Sequence, residues 1–255
     1  MSARHTRDDV HSRMTSTADF TKRARSSREL EAEAETLRAF GADRAVAVRD
    51  VRLDTSELVL ERVHPGEPLA SIATEDEAIR VVAGLFDAGW SEVPPSPAAP
   101  PLHEFARALD PSTRVRSPGA GLQATARRAW DLLRELLQDA PRVLLHGDLH
   151  YGNILSSDRA GYLLIDPKGV IGEPSFDIGY LVSRPIPSAR DHLPLSRAIG
   201  RRLAVLPDAL HLDPHRTAAY AYVAAALSLA WAIEDNDPIR CSCEEALTVL
   251  EPRLR

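Results

Sequence analysis

The run His146-Gly147-Asp148-Leu149-His150-Tyr151-Gly152-Asn153 ends in a carboxamide, and a second carboxylate follows in Ile165-Asp166-Pro167. Asp148 and Asn153 stand five positions apart, the separation of the kinase catalytic-loop pattern H-R-D-x-x-x-x-N. Phosphoryl transfer asks a protein for an oriented hydroxyl, an in-line phosphate and neutralised charge, and for little covalent chemistry. Asp148 is the candidate that accepts or orients the acceptor hydroxyl. Asn153 offers a neutral oxygen and Asp166 an anionic one, a hard set suited to Mg²⁺, which keeps several waters and takes its other ligands from phosphates. His146 is read as a brace of the loop, and His150 as facing either a phosphate or the loop backbone. A two-histidine zinc site from His146 and His150 would need a helix between them. Gly147 and Gly152 argue against one.

Short apolar segments must carry this set. Arg142–Leu145 reads as a buried strand leading into the motif, and Asn153–Leu155 with Tyr162–Ile165 as a hairpin closed around 156–161. Upstream, Glu29–Phe40 is dense in Glu, Ala and Leu and predicts a helix stopped by Gly41. Ala45–Val51 and Glu57–Arg62 read as strands around Asp54-Thr55-Ser56, and His64-Pro65-Gly66 breaks the pattern as a hinge. Thr74-Glu75-Asp76-Glu77 has capping-box spacing and opens a helix to about Gly89. The proline-rich stretch Ser91–Pro101 predicts an exposed connector. Leu122, Ala126, Trp130, Leu133 and Leu137 mark one face of a longer helix, and the last eighty residues read as helical. The order predicts an α+β chain: a disordered or poorly ordered segment over 1–28, a small part over 29–63 and a larger one over 64–255.

The bulk properties narrow the partners. A formal charge of −6 disfavours a general nucleic-acid surface and favours cationic small molecules. Lysine occurs only at positions 22 and 168, all other basic side chains being arginine or histidine. Two cysteines, Cys241 and Cys243, make neither a disulfide framework nor a zinc site. The N-terminal stretch has no apolar signal core, and the longest apolar run, Ala218–Ile233, falls short of the roughly 20 residues that span a bilayer. It reads as a buried helix, and the protein as cytoplasmic with no membrane partner, a monomer or homodimer.

With these motifs the chain resembles the aminoglycoside phosphotransferase family, whose members share a protein-kinase-like two-lobed fold. Leu163-Leu164-Ile165-Asp166-Pro167-Lys168-Gly169 and Glu173-Pro174-Ser175-Phe176-Asp177-Ile178-Gly179-Tyr180 look like its streptomycin 6-kinase / hydroxyurea phosphotransferase branch, and the similarity runs from about Glu33 to the C-terminus. The resemblance implies ATP- and Mg²⁺-dependent O-phosphorylation of a small hydroxylated antibiotic such as streptomycin. By position, Asp148 is the base and Asn153 and Asp166 hold the metal. Glu61 and Val63 match the interlobe linker whose backbone receives adenine. Lys22 and Glu33 stand where the family places its ATP lysine and helix glutamate, with Glu31 and Glu35 as alternatives to Glu33. Asp177 is expected to brace the catalytic loop, and Lys168 to reach a phosphate or a nearby acid. Glu173, Trp231, Glu234 and Asp235 are candidates for the substrate side, where carboxylates would pair with guanidinium groups and an aromatic face would add a cation–π contact.

The front end departs from the family pattern. Only 21 residues precede Lys22, the first glycine is Gly41, and Thr21-Lys22-Arg23-Ala24-Arg25 lacks the apolar neighbours of a central strand. The reading is therefore a truncated N-lobe, through an upstream start, a degraded gene or a natural short variant. Two further functions stay open: a truncated pseudokinase that binds without turnover, and a kinase of an endogenous small alcohol or amino sugar.

Overall fold

The computed structural model describes residues 19–24, 26–94, 97–112, 120–186 and 193–254. The smaller lobe is built from β1 (Asp19–Arg23), α1 (Ser27–Phe40), β2 (Val48–Arg52) and β3 (Glu57–Glu61). Its sheet is antiparallel in the order β1-β3-β2, with Lys22 opposite Leu58. Disorder over 1–28 is thus corrected in part: residues 19–23 are a strand, while 1–18 lie outside the described residues. β1 escaped the sequence reading because, among the described residues, it lies at the edge of its sheet. It has one hydrogen-bonded neighbour among the described residues and buries Thr21 alone, so it does without an apolar run. In α1, the Ser26 hydroxyl accepts from the Glu29 N–H at 3.2 Å, and Leu30, Ala34 and Leu37 form the buried stripe.

The larger lobe follows a cis His64–Pro65 bond. It contains β4 (Pro65–Pro68), α2 (Leu69–Ile72), α3 (Glu75–Phe86), β5 (Ser91–Glu92), α4 (Leu102–Phe105) and α5 (Ala120–Leu136). Then come β6 (Val143–Leu145), β7 (Ile154–Ser157), β8 (Gly161–Leu164), β9 (Val170–Gly172), α6 (Pro174–Ser183), α7 (Leu195–Ala209), α8 (Pro214–Asp235) and α9 (Arg240–Leu250). The Thr74/Glu77 capping box forms on both sides. Two small sheets, β4-β7-β8 and β5-β6-β9, frame the motif. The stretch 91–101 is not a wholly exposed connector. Ser91 pairs with Leu144, Pro101 bridges Ile171, and Ala99 is buried.

α8 is 22 residues long and apolar enough, by length and composition, to cross a membrane, which the run Ala218–Ile233 understated. Here it is the central core helix, packed against α5, α6, α7 and α9. The two lobes meet at several points besides the 62–64 linker. The Val46 N–H donates to the Leu164 carbonyl at 3.0 Å and the Leu164 N–H to the Arg44 carbonyl at 2.8 Å. Arg159, in the β7–β8 turn, donates to both oxygens of Glu61 at 2.7 and 3.0 Å and to the carbonyls of Ala42 and Ala45. Gly169 has φ +65°, and a Cβ there would stand 2.6 Å from Thr36 Oγ1, so α1 lies directly on the segment after Asp166.

Candidate active site

β6 delivers the chain to His146, and the β7–β8 hairpin closes the other side. The pairing Ile154↔Leu164, with the Ile165 N–H donating to the Asn153 carbonyl at 3.0 Å, sets Asn153 and Asp166 together at the open end of the hairpin. Asp166 has φ +57°, an uncommon conformation for a non-glycine residue. The Asn153 amide donates to the Asp148 carbonyl at 3.0 Å. That bond fixes its NH₂ and leaves the carbonyl oxygen as the end that can meet a cation.

Asp177, at the start of α6, holds the loop. Its carboxylate accepts from the His146 N–H at 2.8 Å, the Gly147 N–H at 2.9 Å and the Trp90 indole at 3.1 Å. Burial pushes its carboxyl up to about 6, against the opposing pull of those three donors. His146 is fully buried. Its Nε2 donates to the Ile165 carbonyl at 2.9 Å and its Nδ1 accepts from the Asp148 N–H at 3.2 Å, which defines a neutral tautomer. Burial lowers its pKa to about 4. Gly147 takes φ +79°, and a Cβ there would strike Val170 at 2.6 Å.

Asp148 itself is anionic. Burial would raise its pKa, but the facing His150, Lys168 and Arg184 outweigh burial and hold it below the usual carboxylate range. His150 Nε2 stands 4.0 Å from an Asp148 oxygen, while its Nδ1 accepts from the Gly152 N–H at 3.1 Å. Burial lowers the His150 pKa as well.

Lys22 reaches into this centre from β1. Its Nζ is 2.8 Å from Glu33 and also bonds Asp166. Burial opposes the Lys22 charge, yet the two carboxylates raise its pKa overall. Burial pushes Glu33 up to about 7. Against the same penalty, Lys22 and Lys168 hold Asp166 far down. Among the three candidate glutamates of α1 it is Glu33 that meets Lys22: Glu31 is exposed and Glu35 accepts from the Ala98 N–H at 2.9 Å. Lys168 Nζ lies 3.8 Å from Asp166, and its N–H donates to the His146 carbonyl at 2.8 Å.

Other candidates fall outside this constellation. Glu61 directs its carboxylate to Arg159 and to the Ala47 N–H at 3.1 Å, and its own N–H donates to the Ala47 carbonyl at 2.9 Å. Glu173 is buried and forked onto Arg216, with Arg216 Nε at 2.9 Å. This corrects its reading as a substrate carboxylate, because both its oxygens are already engaged. Trp231 is half-buried, edge-on to Phe105 at 5.3 Å, and so joined to the core aromatics. Glu234 and Asp235 sit in the last turn of α8, where burial and the neighbouring Asp235 raise the Glu234 pKa.

Three contributors were missed from sequence. Trp90 gave no signal at all, and Arg184 is a single arginine at a helix end. The third is Arg202, wholly buried, whose guanidinium meets Glu75 at 2.5 and 2.8 Å, the carbonyls of Leu181 and Val182 at 3.1 and 3.2 Å and that of Arg184. It also lies 4.8 Å from the ring centre of Tyr151 in the catalytic loop. A signal existed: Arg202 falls in register with Leu195, Ala198, Ile199 and Leu206, on the apolar face of α7.

The chain is 32% identical to the streptomycin 6-kinase of Streptomyces griseus over 203 residues, which are 78% of this chain and 66% of that protein. It is 29% identical to the hydroxyurea phosphotransferase of Kitasatospora aureofaciens over 206 residues, 79% of this chain and 58% of that one. The chain thus spans two thirds or less of the length of these relatives. Among solved structures, the choline kinase LicA from Streptococcus pneumoniae superposes with a TM-score of 0.66 at 14% identity, over 94% of this chain and 89% of that one. The fold is the two-lobed, protein-kinase-like one. The family model for aminoglycoside/hydroxyurea antibiotic resistance kinases matches residues 11–236, and the chain belongs to that family.

Proposed function

We propose that this protein is a cytoplasmic, ATP- and Mg²⁺-dependent phosphotransferase that phosphorylates a hydroxyl of streptomycin or a closely related aminoglycoside. The observation that carries the reading is the convergence of Asp148, Asn153, Asp166 and the Lys22–Glu33 ion pair on one centre. The 32% identity to a streptomycin 6-kinase supports the choice of acceptor.

The donor set suits the cofactor. Asp166 and the Asn153 carbonyl oxygen are hard oxygens, and Lys22 and Lys168 are the cations beside them that phosphate oxygens would meet. Bound there, MgATP supplies the transferable phosphoryl group and the charge neutralisation that its transfer requires. Asp148 accepts the proton of the acceptor hydroxyl as the oxygen attacks, and its low pKa keeps it ready to orient that hydroxyl. Asp177 and His146 prevent the loop from moving away from the line of attack. Lys22, held by Glu33, steadies the phosphates. Glu61 and Val63 contribute main-chain groups to the adenine end. Glu234 and Asp235, in the last turn of α8, are the carboxylates offered to a guanidinium.

The formed Lys22–Glu33 pair supports turnover over a binding-only pseudokinase. Purified protein with MgATP and streptomycin should yield a singly phosphorylated product by mass spectrometry, and Asp148→Ala should lower the rate by about 10²–10⁴-fold. Unchanged transfer by Asp148→Ala would sink the mechanism. Product from an endogenous amino alcohol but from no aminoglycoside would move the substrate assignment.

A further inference from the structure

Arg184 is the C-cap residue of α6, the helix that carries Asp177. Its guanidinium lies 4.6 Å from the ring centre of Tyr180 and donates through Nη2 to the Tyr180 hydroxyl. Its Nε is buried and has no hydrogen-bond partner. A buried N–H of a cation left unbonded is costly, and such groups are rare in folded proteins unless a ligand completes them. On α8, Ser228 Oγ is buried against the Tyr180 phenol without a well-formed hydrogen bond of its own. The backbone that carries Arg184 is fixed: its carbonyl accepts from the buried Arg202, and its N–H donates to the Leu181 carbonyl at 3.3 Å. Electrostatically, Arg184 and Asp148 act on each other, Arg184 helping to lower the Asp148 pKa and Asp148 to raise that of Arg184.

We infer that Arg184, with Tyr180 and Ser228, forms a subsite for an acceptor oxygen adjacent to the hydroxyl that Asp148 orients. A guanidinium has only donors to offer. It bonds hydroxyl and ether oxygens and repels ammonium or guanidinium groups. The subsite therefore takes the neutral, oxygen-rich edge of a polyhydroxylated acceptor and turns its cationic groups away. It sets which hydroxyl reaches the Asp148 carboxylate, and so determines regiochemistry. The inference rests on the phosphotransferase reading above.

The test is steady-state kinetics on the full chain with streptomycin, and with an analogue lacking the hydroxyl next to the phosphorylated one. Arg184→Lys retains charge but loses Nε, and should raise the acceptor KM about tenfold, the size of one charge-assisted hydrogen bond. The MgATP KM should stay within about twofold. The deoxy analogue should lose as much with the wild type and nothing further with Arg184→Lys. Ser228→Ala should shift the acceptor KM in the same direction by less. A parallel rise in the MgATP KM, or fully additive losses from variant and analogue, would overturn the subsite. If Arg184→Lys does not fold, the wild type decides alone: equal KM for parent and deoxy acceptor refutes the subsite. Absence of transfer to any acceptor by the wild type overturns the phosphotransferase reading and the subsite with it. Intact transfer with undiminished acceptor affinity in Arg184→Lys overturns the subsite alone.

Discussion

Glu75→Gln should be among the most destabilising single-atom exchanges in this chain. The Glu75–Arg202 pair has side chains 2% and 0% exposed. Arg202 spends its donors on both Glu75 oxygens and on three carbonyls at the end of α6. Removing the negative partner leaves a guanidinium uncompensated in a dry interior, which costs about 3–5 kcal/mol. For a chain of this size each kcal/mol lowers Tm by about 2–4 °C, so the drop should be roughly 6–20 °C. The exposed Arg240–Glu244 pair, 56% and 49% exposed, is the internal control. Glu244→Gln should cost no more than about 0.5 kcal/mol. Urea unfolding of both variants gives the comparison. Arg202→Met combined with Glu75→Gln should cost less than the sum of the single changes, by about 1–3 kcal/mol of coupling. Equal costs for Glu75→Gln and Glu244→Gln would refute the claim that burial, and not ion pairing as such, sets the energy.

Three other outcomes follow from the site. Lys22→Met should lower kcat about a hundredfold in a coupled ATP assay while leaving the acceptor KM in place, since Lys22 serves the phosphate end. His146 and Asp177 should oppose each other in acid: the His146 pKa near 4 makes native stability fall as pH drops from about 6.5 towards 4, whereas the Asp177 pKa near 6 makes its contribution present below 3.8 and lost as pH rises through 6. Asp177→Asn removes the second slope, so its urea stability should fall more steeply than that of the wild type between pH 6.5 and 4. Arg159→Met should destabilise by about 1–3 kcal/mol, as a lost charge-assisted set, and raise the MgATP KM with no change in acceptor KM.

The catalytic loop was legible because its chemistry is written in consecutive residues, and so was the α1 stripe, because its period of burial is that of a helix. The Lys22 strand was not. Its evidence is a register with β3 that becomes visible only when Leu58 and Lys22 stand side by side. Glu173 looked like a substrate carboxylate because sequence does not reveal that Arg216, forty-three positions on, is folded beneath it. Burial of charge is the common difficulty. Glu75 and Arg202 read as surface residues by type, and each is inside because a partner distant in sequence compensates it. In the small sheets β6, β7 and β8 were legible, but β5 and β9 have two and three residues and no period to detect.

The strand-like pairing of Arg44 and Val46 with Leu164 gives the lobes a main-chain attachment besides the 62–64 linker, and the Arg159 side chain adds another. A body joined at one point can swing and twist; one joined at two separated points keeps mainly rotation about the line between them. The Lys22–Asp166 pair therefore spans lobes whose relative placement is fixed by several bonds and not by the linker alone. A lengthened linker alone would not free the lobes, and neither would breaking the Leu164 attachment alone, because Arg159 still ties Glu61, Ala42 and Ala45 to the β7–β8 turn.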